Sequence, residues 1–139
     1  MLFRSEPWAA VLIGFFAGVI CALAVGLKYK LGFDDSLDVV GVHLFGGIWG
    51  SLSIGLFASK SANELGADGI FAGGGTHLLG IQAIGVLTVM IYSFVVTFIL
   101  GKVLDSTLGF RVERNDEVSG IDFAEHRETA YETLVGAKL

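Results

Sequence analysis

The sequence predicts an all-α, integral membrane fold: three transmembrane helices followed by a polar C-terminal tail. Residues 8–27, 39–58 and 78–101 contain no Asp, Glu, Lys or Arg, so all 9 basic and 14 acidic residues of the 139-residue chain lie outside them. At about 1.5 Å per residue, each run is long enough to cross a hydrocarbon layer of about 30 Å. Backbone polar groups in lipid need partners within their own segment, so such runs are helices rather than isolated strands. The composition agrees: 53% of residues are apolar and 17% charged, against roughly 25% charged in soluble domains. An ordinary soluble domain is excluded. Nucleic-acid binding is also excluded as a default, because the net charge is −5 and no basic stripe is present. Cys21, the single cysteine, lies inside an apolar run, which leaves no disulfide framework and no thiol metal site.

The first span, Trp8–Leu27, opens after Pro7 and closes at Lys28 and Lys30. Proline in a first helical turn costs no hydrogen bond, and tryptophan favours the headgroup boundary. The run is longer than the h-region of a signal peptide, and Arg4 is offset by Glu6, so a membrane helix is the better reading. A short connector ends in Asp34, Asp35 and Asp38. Carboxylates placed there cap the free N–H groups of the second span, Val39–Ala58, and meet the positive end of its dipole. Residues 59–77, with Gly73-Gly74-Gly75, read as a flexible surface loop. The third span is Leu78–Gly101, continuing toward Leu104. These elements give a transmembrane region over 1–104 and a polar tail over 105–139.

Lys28, Lys30, Lys102, Arg111 and Arg114 share one side of the membrane, and Arg4 and Lys60 the other. The bias favours a cytoplasmic tail and an outside N-terminus. Gly14 and Gly18 in the first span, and Gly46 and Gly50 in the second, are four apart, a spacing that lets helix backbones approach closely in a bilayer. With Gly41, Gly47 and Gly55 as well, the second span reads as a helix buried among others.

His43 is the only ionisable group, tyrosine and Cys21 aside, in any of the three runs. Such a group normally faces a bundle interior or an aqueous path, because its burial in hydrocarbon is costly. Gly46, Gly47 and Gly50 share its helical face. Spacing alone leaves two roles open: a pathway residue that accepts or relays a proton, or a structural interhelical hydrogen bond. His77 and His126 read as solvated, and the 11 phenylalanines as lipid contact or helix packing. No nucleophile–base pair, phosphate loop or metal-ligand cluster is apparent. In the tail, Ile121 and Phe123 interrupt a polar segment, which suggests docking, with a solvated, disordered tail as the alternative, and a short stretch to Tyr131 has helix potential.

Asp34-Asp35-Ser36-Leu37-Asp38-Val39-Val40-Gly41-Val42-His43, running on through Gly46-Gly47-Ile48-Trp49-Gly50, resembles the tenth membrane helix of the ammonium transporter family (Amt/Mep/Rh). Pro7-Trp8-Ala9-Ala10 and the helix after it resemble the family's ninth helix, and the third span its eleventh. Gly120-Ile121-Asp122 through His126, with Glu128-Thr129-Ala130-Tyr131, is similar to the family's cytoplasmic C-terminal signature. The resemblance covers roughly residues 7–132. It implies that His43 is the second histidine of a pair lining the conduction path, that Val39 is a pore-lining position, and that Thr129 matches a regulatory phosphorylation position. Leu44-Phe45 replaces a smaller pair usual after the histidine, and Arg127 stands where a glycine is typical.

Members of that family have about eleven membrane helices. The chain is therefore expected to be the C-terminal part of an ammonium/ammonia transporter, incomplete alone. Asp35 and Asp38 would organise the start of the span that carries His43. The implied partners are ammonium or ammonia, the lipid bilayer, the remaining transporter helices or a full-length transporter in a trimer, and a PII-class nitrogen regulator. No enzyme activity, cofactor or metal is expected, and the location is the cell membrane. The alternative is a small, non-transporting membrane protein that modulates a full-length transporter.

Overall fold

A computed structural model describes residues 5–109 and 111–127. Arg4, Thr129 and the end of the stretch to Tyr131 lie outside the described residues. The described chain is helical, and its one extended pairing among the described residues is an isolated antiparallel bridge between Ser5 and Ala58. Three helices are long and apolar enough to cross a membrane: Pro7–Leu31, Val40–Phe57 and His77–Thr107. Contacts divide the chain into two units, Met1–Tyr92 and Ser93–Leu139.

In the first unit, α1 covers Pro7–Val25 and α2 Leu27–Leu31. Gly26 between them keeps helical dihedrals of −66° and −16°, so the two form one 25-residue span. The helix runs past the charge-free run because two lysines do not stop it. Gly32 does, with φ at 70° and its N–H donated to the Lys28 carbonyl at 2.8 Å. A left-handed glycine after the last turn is a common helix stop, and Lys28 and Lys30 suit the negative end of the dipole.

The second span opens with a π-helical turn, Val40–Leu44, and continues as α3, Phe45–Phe57. It runs antiparallel to α1 through contacts at successive depths. A Cβ on Gly41 would stand 2.8 Å from the Val25 Cα, and one on Gly46 3.1 Å from the Cys21 Sγ. Further along, the Trp49 Nε1–H donates to the Ile13 carbonyl at 2.9 Å, and its ring meets Phe16 edge-on at 5.7 Å. At the far end Trp8 packs on Phe57 at 6.0 Å. The small-residue pattern therefore divides. Gly41 and Gly46 admit the first helix, whereas Gly14, Gly18, Gly47 and Gly50 face open space.

The 59–76 connection folds back on the end of α3. The Gly69 N–H donates to the Ala58 carbonyl at 2.8 Å, the Lys60 N–H to the Asp68 Oδ1 at 2.8 Å, and the Gly74 N–H to the Gly69 carbonyl at 2.9 Å. A side chain at Gly74 would place Cβ 1.9 Å from the Asp68 carbonyl oxygen, so the glycine triplet serves a tight turn. After it comes α4, His77–Thr107. Its first turns meet α3 where Gly55 leaves room for Leu79, whose Cα lies 2.5 Å from a Cβ built on that glycine. No residue in the most apolar 18-residue window of α4 is buried.

Apolar side-chain burial among the described residues is confined to Ala9, Ala24, Phe57 and Ala58, and the one buried polar residue there is Ser53. On α1, Val11, Phe15, Val19 and Leu23 form an exposed apolar stripe at four-residue spacing.

In the second unit, the end of α4 gives way at Gly109, with φ at 81°. A short helix α5, Arg114–Ser119, and a π-helical turn, Asp122–His126, follow. Arg111 Nη2 donates to both Glu117 carboxylate oxygens, at 2.8 and 3.2 Å. Ile121 and Phe123 are about half exposed. Arg127 is left-handed, with φ at 54°, a conformation that suits the glycine its position resembles.

Candidate functional site

The site begins with the connector that brings the second span back beside the first. Lys28, near the end of the first helix, donates from Nζ to the Asp38 Oδ1 at 2.5 Å and to the Asp35 carbonyl at 2.9 Å. Asp35 turns its carboxylate to the start of the span: Oδ1 accepts from the Val39 N–H at 2.7 Å and Oδ2 from the Val40 N–H at 2.9 Å. These donors have no partner within the helix, and a side-chain carboxylate there satisfies them and meets the positive end of the dipole. Asp38 does something different. It is left-handed, with φ at 57°. Its carboxylate goes to Lys28, and its carbonyl accepts from the Val42 N–H at 2.8 Å.

His43 follows in the π turn. Such wide turns are rare and frequently lie at functional sites. Gly41 abuts Val25 and Gly46 abuts Cys21, while the first span runs on to Leu31. His43 is therefore level with a point roughly 9–15 Å in from that helix's end, at the rise of about 1.5 Å per residue. A residue at the start of its own span thus stands beside the body of its neighbour.

The imidazole is exposed and lines a groove of about 360 Å³ between the second span and α4, together with Gly47, Ile48, Ser51, Gln82 and Val86. Gly47 shapes this face by lacking a side chain. The polar groups in the lining are the imidazole, the Ser51 hydroxyl and the Gln82 carboxamide; around them the wall is aliphatic. An imidazole offers one nitrogen as donor and the other as acceptor, and it can hold a proton. The arrangement suits a small hydrogen-bonding molecule in an apolar setting.

Of the residues singled out from the sequence, His43 lines the groove. Val39 is exposed at the head of the π turn, outside the groove lining. Asp35 and Asp38 meet at the helix start and at Lys28. Thr129 lies outside the described residues. Three participants, Ser51, Gln82 and Lys28, are not evident as site residues from the sequence. Gln82 had a signal available, as the one carboxamide in the third apolar run. Lys28 read only as a marker of orientation, because its partner is ten residues away and reaches it through a left-handed Asp38.

The family model described as the Ammonium Transporter Family matches residues 4–131. The chain is 49% identical to an ammonium transporter of Mycobacterium bovis over 133 residues, which cover 92% of this chain and 28% of that protein. It is 39% identical to an ammonium transporter of Bacillus subtilis over 127 residues, covering 91% of this chain and 31% of that protein. With ammonium transporter Amt1 of Archaeoglobus fulgidus it shares 39% identity over 122 residues, covering 88% of this chain and 30% of that protein. The chain spans less than a third of the length of these relatives. The matched residues take in all three apolar helices, the His43 turn and the described tail, and the chain belongs to the ammonium transporter family.

Proposed function

We propose that this chain forms the C-terminal three spans and tail of an ammonium/ammonia transmembrane transporter, with His43 in the substrate path. One observation carries the reading: an imidazole at the depth of the first helix's body, exposed on an otherwise aliphatic groove. A bare cation in such surroundings is far more costly than neutral ammonia. The imidazole hydrogen-bonds the neutral molecule and accepts or relays the proton it leaves behind. Val39, one turn earlier, belongs to the entry of the same path.

The exposed stripe on α1 and the open faces at Gly14, Gly18, Gly47 and Gly50 are covered by the remaining transporter helices. The chain is accordingly incomplete alone. In this reading the transporter is a trimer in the cell membrane, and its tail faces the cytoplasm. The tail carries regulation, through a PII-class nitrogen regulator and through Thr129. The second reading, a non-transporting modulator, is favoured by the same open faces, which would then dock on an intact transporter.

The test is growth at low ammonium and acidic pH in a host without ammonium transporters. The chain alone is expected to give no rescue; co-expression with a chain carrying the first eight helices is expected to restore growth. In that pair, His43→Ala lowers ammonium uptake by at least about 10²-fold, the scale of losing a positioned proton-transfer group. Rescue by the chain alone would replace the reading with an autonomous channel. Altered uptake by a co-expressed intact transporter, without rescue by the split pair, would favour the modulator.

A further inference from the structure

The π turn that carries His43 is held from outside its own backbone. A π turn is less favourable than an α turn and usually occurs singly. Relaxation of Val40–Leu44 into regular α-helix would remove one residue from the turn and swing His43 by about 100° about the axis, the rotation of a single residue. What opposes that relaxation is fixation of the residue that leads into the turn. Asp38, directly ahead of Val39 at the head of the turn, accepts the Val42 N–H at 2.8 Å in an ordinary four-residue bond, while the wide bond of the turn itself runs from the Phe45 N–H to the Val40 carbonyl. Asp38 does so from a left-handed conformation, φ 57°, that is uncommon for non-glycine residues.

The holding group is Lys28. Its ammonium reaches Asp38 Oδ1 at 2.5 Å and the Asp35 carbonyl at 2.9 Å. The contact is partly buried, with the lysine side chain 16% exposed. Lys28 belongs to the first helix, whose Val25 also meets Gly41 one turn below. The first helix thus grips the start of the second span at two levels, by charge and by close packing. We propose that Lys28 is a positioning residue for His43: its ion pair with Asp38 sets the register of the π turn and so the direction in which the imidazole enters the groove. The role rests on the reading of His43 as a substrate-path residue and extends it to a side chain that touches no substrate.

The experiment uses the full chain in lipid nanodiscs with ¹⁵N-labelled histidine, in a His77→Gln, His126→Gln background so that His43 alone reports. Lys28→Met is expected to move the His43 ring-nitrogen resonances, and Lys28→Arg to return them close to their original positions. In the co-expressed pair, Lys28→Met should lower uptake on the order of tenfold or more, the scale of a small misplacement of a working group, with most of it restored by Lys28→Arg. A purely stabilising ion pair would lower the amount of folded protein and leave the His43 resonances unmoved, which overturns the proposal. Should Lys28→Met fail to accumulate, Asp38→Asn keeps the shape and removes the charge, and the same shift is expected. Unchanged uptake in His43→Ala overturns the substrate-path reading instead, so the two ideas fail on different measurements.

Discussion

At the scale of single residues, the helix start and the glycines make separable predictions. Asp35 satisfies two orphan N–H groups of the second span, so Asp35→Ala should cost about 0.5–2 kcal/mol, the usual range for a lost cap, read as a lower unfolding midpoint in detergent. Gly41→Ala and Gly14→Ala form a contrast. The first places a methyl 2.8 Å from the Val25 Cα and forces the two backbones apart, while the second meets open space. Gly14→Ala should be neutral or add up to about 1 kcal/mol, because alanine loses less freedom in a helix than glycine; Gly41→Ala should clearly destabilise. The unfolding midpoints of the two variants check this directly. His43 was legible from sequence because one imidazole among apolar residues is conspicuous. The different roles of Asp35 and Asp38 were not legible, since both are carboxylates just ahead of a helix and only the backbone conformation of Asp38 separates them.

At the scale of elements, the charge-free runs located the helices but not their ends. The first span overruns its apolar run to Leu31 because Gly32 stops it, and α4 overruns Gly101 to Thr107. Helix ends depend on caps and left-handed residues, whereas the apolar run records only which residues suit hydrocarbon. Between the first and second spans, the Trp49 Nε1–H donates to the Ile13 carbonyl at 2.9 Å. Trp49→Phe keeps most of the ring and removes the donor. It should cost about 0.6 kcal/mol, the average for such bonds between membrane helices, measured by equilibrium unfolding in bicelles. In the tail, Arg127 holds a left-handed conformation, and Arg127→Gly should stabilise the turn by about 1–2 kcal/mol, visible as slower amide exchange over Asp122–His126.

At the scale of the whole molecule, the number of apolar helices, their order and the polar tail were determined by the sequence alone. Hydrocarbon thickness and backbone hydrogen bonding leave few choices for charge-free runs of this length. The same charge-free runs made His43, the ionisable side chain of the second span, a candidate functional residue. The tertiary structure decided which glycines serve packing and which face outward, because a bare helical face reads the same in sequence whether a neighbour fills it or not. It also decided the depth of His43, which follows from where Gly41 and Gly46 meet the first helix. The coupling of Lys28 to the π turn likewise depends on a connector folding back on the helix it has just left. Such a contact is set by three-dimensional closure, and no periodicity along the chain encodes it.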